Sequence, residues 1–172
     1  MEIGCADGFV TEHLVRAGFR VTALDFSPRM VEVAYRRLRA AGLDAEFIVT
    51  NMDDFDPPGL FDVTAAFMGS FFTYSARPRE VLSRLVGATR KKLLVDLDPR
   101  RTKIEMAVDA VRAAGLSSVE WRGFFVPQRI RLGRYGLALF RTFEQFPPVR
   151  DTLLRWKFTA VVKGESRREA VG

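Results

Sequence analysis

The first eight residues, Met-Glu-Ile-Gly-Cys-Ala-Asp-Gly, place small residues at positions 4, 6 and 8 directly behind a short stretch that reads as a strand end. Small residues at a strand-to-helix turn let the backbone bend sharply and let a ligand come close to the main chain. Further on, the run Val21-Thr22-Ala23-Leu24 ends in Asp25, 21 residues beyond Gly4. A carboxylate at a strand end has no apolar reason to be there, and it can accept hydrogen bonds from both hydroxyls of a ribose. Turn, helix, strand and acid together read as a nucleoside-binding site. Spacing narrows the ligand. A dinucleotide fingerprint, G-x-G-x-x-G, would put its third glycine at position 9, but Phe9 stands there and the last glycine comes one residue earlier. With Glu2 two residues ahead of Gly4, the pattern is E-x-G-x-A-x-G.

That pattern resembles motif I of the class I S-adenosylmethionine-dependent methyltransferases, with Ala6 in place of the usual middle glycine. The stretch from Glu2 through Ala34, including Asp25-Phe26-Ser27-Pro28 and Met30, is similar to the first βαβ unit of that family. The resemblance implies a Rossmann-like α/β fold: a doubly wound, mainly parallel seven-stranded sheet with helices on both faces, its first strand shortened. It implies S-adenosylmethionine as cofactor, held by Glu2, Gly4, Cys5, Ala6, Asp7 and Gly8, by Asp25, Phe26 and Ser27, and by a later cluster. In that cluster Asn51 and Met52 would border the adenine ring, and an Asp53 or Asp54 carboxylate would lie near its exocyclic amine. Met68, after the next strand, would face the methionine moiety and the acceptor. Asn51 stands where the family more often has Asp.

Methyl transfer from a sulfonium is an in-line displacement with an activated leaving group, so the protein supplies chiefly alignment and desolvation. The implied activity is methyl transfer to a small apolar or anionic metabolite, with no catalytic side chain assigned. Two other readings stay open: an RNA-modifying methyltransferase, and a non-catalytic cofactor-binding or scaffold protein. Only three residues precede Gly4, so the chain is expected to start within its central strand, to bind cofactor weakly and to show little activity.

Other residues have plainer readings. His13 is the only histidine and is expected near the surface of a helix. Cys5 is expected to serve as a small side chain in a tight turn, not as a nucleophile. Glu2 either reaches the cofactor's amino group through the loop or braces that loop. Asp56-Pro57-Pro58 is not the D/N-P-P-Y/F motif of amino methylation, because it precedes a strand and is followed by Gly59; it reads as a turn. Tyr74 has two readings, an acceptor-side residue and, more plainly, a packing aromatic. No spacing suits a metal site.

The elements that must position these groups follow from periodicity. Short apolar runs occur at Arg20–Leu24, Ala45–Thr50, Asp62–Phe67, Lys92–Asp96, Ser118–Val126 and Phe158–Val162. Helical stripes lie between them: Val10, Leu14 and Ala17, stopped at Gly18; Val31, Ala34, Tyr35 and Leu38, opened by Ser27-Pro28 and stopped at Gly42. Two more comprise Val81, Leu82, Leu85 and Val86, then Ile104, Ala107, Val108, Val111 and Ala114. Alternation of this kind predicts βαβ units and a mainly parallel sheet, whose ligands bind beyond the C-terminal strand ends.

A length of 172 residues with 48% apolar content predicts one folded domain, residues 1–100 as the cofactor half and 101–172 as the substrate side. The lone cysteine suits a reducing, cytoplasmic setting. Charge is split: residues 1–62 carry 6 Arg against 11 acids, a net of −5, while 63–172 carry the remaining 21 bases and 10 acids, a net of +11. Such a split is met mostly in solvated surfaces, and otherwise in proteins with anionic partners. Between Trp121 and Trp156 aromatics alternate with arginines; the reading is a helix packed on the sheet, with contact to a membrane surface or cover over an apolar substrate as the alternative.

Overall fold

A computed structural model describes residues 1–67, 71–116, 118–124, 142 and 159–165. Met68 and nearly all of the arginine-and-aromatic stretch between Trp121 and Trp156 lie outside the described residues, so both expectations stop at the sequence.

Seven strands form one sheet: β1 (Glu2–Ile3), β2 (Thr22–Asp25), β3 (Glu46–Val49), β4 (Phe61–Ala66), β5 (Thr89–Leu97), β6 (Ser118–Phe124) and β7 (Thr159–Glu165). Their spatial order is β3-β2-β1-β4-β5-β7-β6. The first five are parallel, and β7 runs antiparallel to both neighbours. Strand order reverses at β1, from which β2 and β3 lie to one side and β4 and β5 to the other. This is the mainly parallel sheet that the alternation predicts and the Rossmann-like, doubly wound order that the family resemblance implies, with β1 only two residues long. The register lines up the exits: Ile3 sits opposite Leu24 and Ala66, Leu24 opposite Ile48, and Ala66 opposite Val95. The loops after all five parallel strands therefore open on one edge, at the crevice beside β1 where such sheets bind ligands.

The helices are α1 (Phe9–Arg16), α2 (Pro28–Ala40), α3 (Phe71–Tyr74), α4 (Pro78–Gly87) and α5 (Ile104–Ala113). Adjacent residues of a strand point to opposite faces. Accordingly, Ala23 joins Cys5 and Val21 under Leu14 and Val15 of α1, whereas Leu24 joins the larger core built with Val81, Leu82 and Leu85 of α4 and Val108 and Val111 of α5. Ser27 caps α2 as its sequence predicts, its hydroxyl accepting from the Met30 amide at 3.4 Å.

Three local expectations need correction. In α1 the fully buried residue is Thr11, while Ala17 is exposed and Leu14 half-buried. The apolar stripe was read one position off because Thr11 is held inward by a polar contact described below. Tyr35 of α2 is 48% exposed, its ring lying edge-on against Phe47 at 6.5 Å between centroids instead of under the helix. Strand β5 begins three residues before the apolar run, because Thr89 pairs with Phe61 while Arg90, Lys91 and Lys92 of that segment face solvent.

Candidate cofactor site

The turn after β1 is fixed by its own backbone. Gly4, Ala6 and Gly8 all take positive φ, at 74°, 46° and 76°. The amides of Gly4 and Cys5 both donate to the Leu24 carbonyl, at 2.8 and 2.9 Å, which staples the turn to the end of β2. Gly8 carries a second demand. A Cβ there would stand 2.7 Å from the Ala34 Cβ, so the close crossing of α1 over α2 requires a glycine. Ala6 adopts a left-handed conformation that costs a non-glycine residue about 1–2 kcal/mol.

Asp25 is 6% exposed and joins two chain segments. Its Oδ2 accepts from the Ala6 amide and its Oδ1 from the Ser27 amide, each at 2.9 Å. A carboxylate offers about four acceptor positions, so two remain beyond these backbone bonds. Beside it Phe26 is 74% exposed and Met30 39%, two apolar side chains turned to solvent at the mouth of the crevice.

Glu2, 2% exposed, accepts a 2.6 Å hydrogen bond on Oε2 from the Thr11 hydroxyl of α1. Burial pushes its carboxyl above the ordinary range, more strongly than the Thr11 hydroxyl and the Met1 ammonium pull it back. Of its two readings, bracing is the one that has a contact. Asp7 is clamped from α2: Arg37 donates through Nη2 to Asp7 Oδ2 at 2.6 Å and through Nε to the Asp7 carbonyl at 2.9 Å. Cys5 is buried, and burial, then the nearby Glu2 and Asp25 carboxylates, push its thiol up to about 12, which leaves it no nucleophilic use at neutral pH. His13 is exposed, its Nδ1 at 2.8 Å from the Phe9 carbonyl.

The cluster after β3 is divided. The Thr50 amide donates to the Asp25 carbonyl at 3.0 Å, which holds the start of the turn after β3, with Asn51 next in the chain, beside the end of β2. Asn51 is exposed at the edge, and Met52 is 7% exposed with its side chain in the core. Asp53 is turned toward the segment after β4. Its Oδ1 accepts from the Ser75 hydroxyl at 2.6 Å and the Arg77 amide at 3.3 Å, and its Oδ2 from the Ala76 amide at 2.9 Å. Asp54 is exposed and paired with Arg77 at 3.0 Å. The turn after β1, Asp25 to Ser27 and Asn51 thus come together at one edge, whereas the Asp53 carboxylate is committed elsewhere.

Thr11, Arg37, Ser75, Arg77 and Arg84 were not singled out in the sequence. Their partners lie 9 to 32 positions away and follow no period. Tyr74 is 63% exposed, so it is not a packing aromatic. Asp56 to Pro58 lie before β4, at the opposite edge of the sheet, where Asp56 and Pro57 line a shallow depression of about 280 Å3 with Gly59, Leu60, Arg84, Gly87 and Ala88. Among the described residues no cluster of three or more His, Cys, Asp or Glu could hold a metal ion, and no helix is long and apolar enough to cross a membrane.

The fold and the crevice define a Rossmann-like protein of the nucleoside-cofactor type. Residues 1–92 match the family model of a methyltransferase domain, and the chain belongs to the class I S-adenosylmethionine-dependent methyltransferase family. A ubiquinone biosynthesis O-methyltransferase of Xanthomonas euvesicatoria is 33% identical over 64 residues, 36% of this chain and 27% of that protein. One from Methylocella silvestris is 40% identical over 53 residues, 31% of this chain and 21% of that protein. The matched stretch thus spans about a quarter of the length of these curated relatives. Among solved structures, magnesium protoporphyrin IX methyltransferase from Synechocystis with bound cofactor superposes at a TM-score of 0.66, with 14% identity over 96% of this chain and 68% of the other. The [4+2]-cyclase SpnF superposes at 0.69, with 18% identity over 96% and 74%. At these identities the structural likeness speaks for the fold alone.

Proposed function

We propose that this chain binds S-adenosylmethionine at the β1 crevice and transfers its methyl group to a small acceptor, apolar or anionic in character. The observation that carries the reading is Asp25: a buried carboxylate held by the Ala6 and Ser27 amides at the open edge, with acceptor positions left over. Those positions suit the two hydroxyls of a ribose. The left-handed turn from Gly4 to Gly8 brings bare backbone to the same place, which suits the amino-acid tail of the donor. Phe26 offers its exposed ring, and Asn51 its exposed amide, to the base side; Met52 closes the floor. Cys5, Asp7 and Glu2 shape or brace the turn.

When bound, the cofactor supplies a sulfonium methyl that needs no further activation. The chain's own part is alignment, which can lower a bimolecular barrier by about 7–11 kcal/mol where the geometry is tight. Among the described residues no side chain near the crevice is placed as a general base. The names of the ubiquinone biosynthesis O-methyltransferase relatives favour an oxygen acceptor. Isothermal titration with S-adenosylhomocysteine tests the donor half of the reading. One site per chain is expected, weakened at least about tenfold by Asp25→Ala. A folded chain that takes up no S-adenosylhomocysteine contradicts it.

A further inference from the structure

We propose that Asp53 is a positioning residue that locks the base-side turn after β3 to residues 75–77 between α3 and α4, so that base recognition depends on one carboxylate that does not itself reach the base. The proposal rests on the reading that Asn51 and Met52 border the adenine.

Asp53 sits at the centre of a two-sided network and is 7% exposed. On one side its carboxylate takes the Ser75 hydroxyl and the amides of Ala76 and Arg77, the residues that lead from α3 into α4. Ser75, itself 8% exposed, is held in turn by its amide bond to the Phe71 carbonyl at 3.1 Å. On the other side, main-chain atoms of residues 51–54 are fixed around the same residue. The Asp53 amide donates to Asn51 Oδ1 at 3.0 Å, and the Asp54 amide donates to the Asn51 carbonyl at 3.0 Å. Two arginines of the α4 region close the frame. Arg77 Nη2 donates to the Asp53 carbonyl at 2.9 Å, and Arg84 Nη2 donates to the carbonyls of Met52 and Asp53 at 3.2 and 2.5 Å.

The chemistry demands a carboxylate. All three side-chain contacts are donors, so both oxygens must accept. An asparagine has the same shape but would turn its NH2 toward either the Ala76 or the Arg77 amide N–H, and a buried donor facing a donor is strongly unfavourable. The network also explains why α4 starts without a cap of its own: Arg77 at its N-cap supplies no side-chain acceptor, and Asp53 places a negative charge there from a distance. A shift of Asp53 therefore moves Asn51 together with Ser75, Ala76 and Arg77.

The test compares two ligands on the whole chain by isothermal titration: S-adenosylhomocysteine and its inosine counterpart, in which a carbonyl replaces the exocyclic amine and the neighbouring ring nitrogen N1 carries a proton. The unaltered chain is expected to prefer the adenine form. In Asp53→Asn its affinity should fall roughly tenfold, with the preference between the two ligands shrinking toward unity and far-ultraviolet dichroism unchanged. Ser75→Ala, which removes one donor of three, should move the ratio the same way by less. General destabilisation would weaken both ligands alike and leave the ratio intact; that result, in either variant, overturns the proposal. An unaltered chain that binds neither ligand, or does not distinguish them, overturns the underlying reading as well, and shows this before any variant is made.

Discussion

The turn after β1 and the turn after β3 open on the same edge, two strands apart, and they are held by opposite means. The first is a main-chain object: three positive-φ residues, two amides on the Leu24 carbonyl, and one acid that accepts from the backbone. The second is a side-chain object, in which Asp53, Ser75, Arg77 and Arg84 tie together residues more than 20 positions apart. A turn defined by backbone angles restricts which residues can occupy it and so marks the sequence. A corner defined by long-range hydrogen bonds needs only suitable partners somewhere, and leaves no local mark.

The largest expected effect is in the first turn. Gly8→Ala combines a positive φ with a Cβ 2.7 Å from that of Ala34, and should cost about 3 kcal/mol, read as a lower urea midpoint at unchanged m-value. A loss below about 1 kcal/mol would mean that α1 and α2 separate easily. Next is Asp25→Ala, which strips the Ala6 and Ser27 amides of their charged acceptor and should cost about 2 kcal/mol by the same measurement, besides its effect on ligand binding.

A pair of buried acids sharpens the contrast. Glu2 and Asp53 are nearly equally inaccessible, yet their carboxyls shift in opposite directions. Burial raises Glu2, and its single hydroxyl donor does not compensate. Burial also works to raise Asp53, but the Ser75 hydroxyl, the two amides and Arg77 outweigh it and leave the group lowered. A raised folded value means that the native state holds its proton longer, so the Glu2 contribution to stability falls as pH rises from the ordinary 4.5 through the folded value. For Asp53 the sign is reversed. Its contribution is complete above the ordinary 3.8 and is lost as pH drops from there through the lower folded value. Unfolding curves across pH should therefore show Glu2→Gln gaining stability at neutral pH and Asp53→Asn losing the acid-side slope. Matching slopes for the two variants would refute the contrast.

The smallest effect belongs to Ala6→Gly. Relief of its left-handed conformation is partly offset by the greater freedom of glycine in the unfolded chain, so a gain of about 0–1 kcal/mol is expected from thermal unfolding. A loss would mean that the Ala6 methyl packs against something.

What could be read from the sequence follows the same division. The parallel sheet was legible because apolar runs alternate with helical stripes, and Ser27-Pro28 marked the start of α2 through ordinary capping chemistry. The glycine turn and Asp25 were legible because strand-end chemistry is local. Thr11 was not, since its burial depends on Glu2, nine positions earlier and on another element. The family resemblance offers an Asp53 or Asp54 carboxylate to the base, and the structure turns that of Asp53 toward Ser75 and Ala76. Nothing in residues 50–55 announces partners in residues 75–84. The packing reading of Tyr74 fails for a related reason: aromatic residues are mostly buried, yet this one, at the end of α3, is 63% exposed.

The most direct test of the whole account is a crystal of the chain soaked with S-adenosylhomocysteine. The expected map shows both ribose hydroxyls within hydrogen-bond distance of the Asp25 carboxylate and the amino-acid tail along the main chain of Gly4 to Gly8. A crevice that stays empty at saturating ligand, or one that accepts a nicotinamide dinucleotide instead, contradicts it.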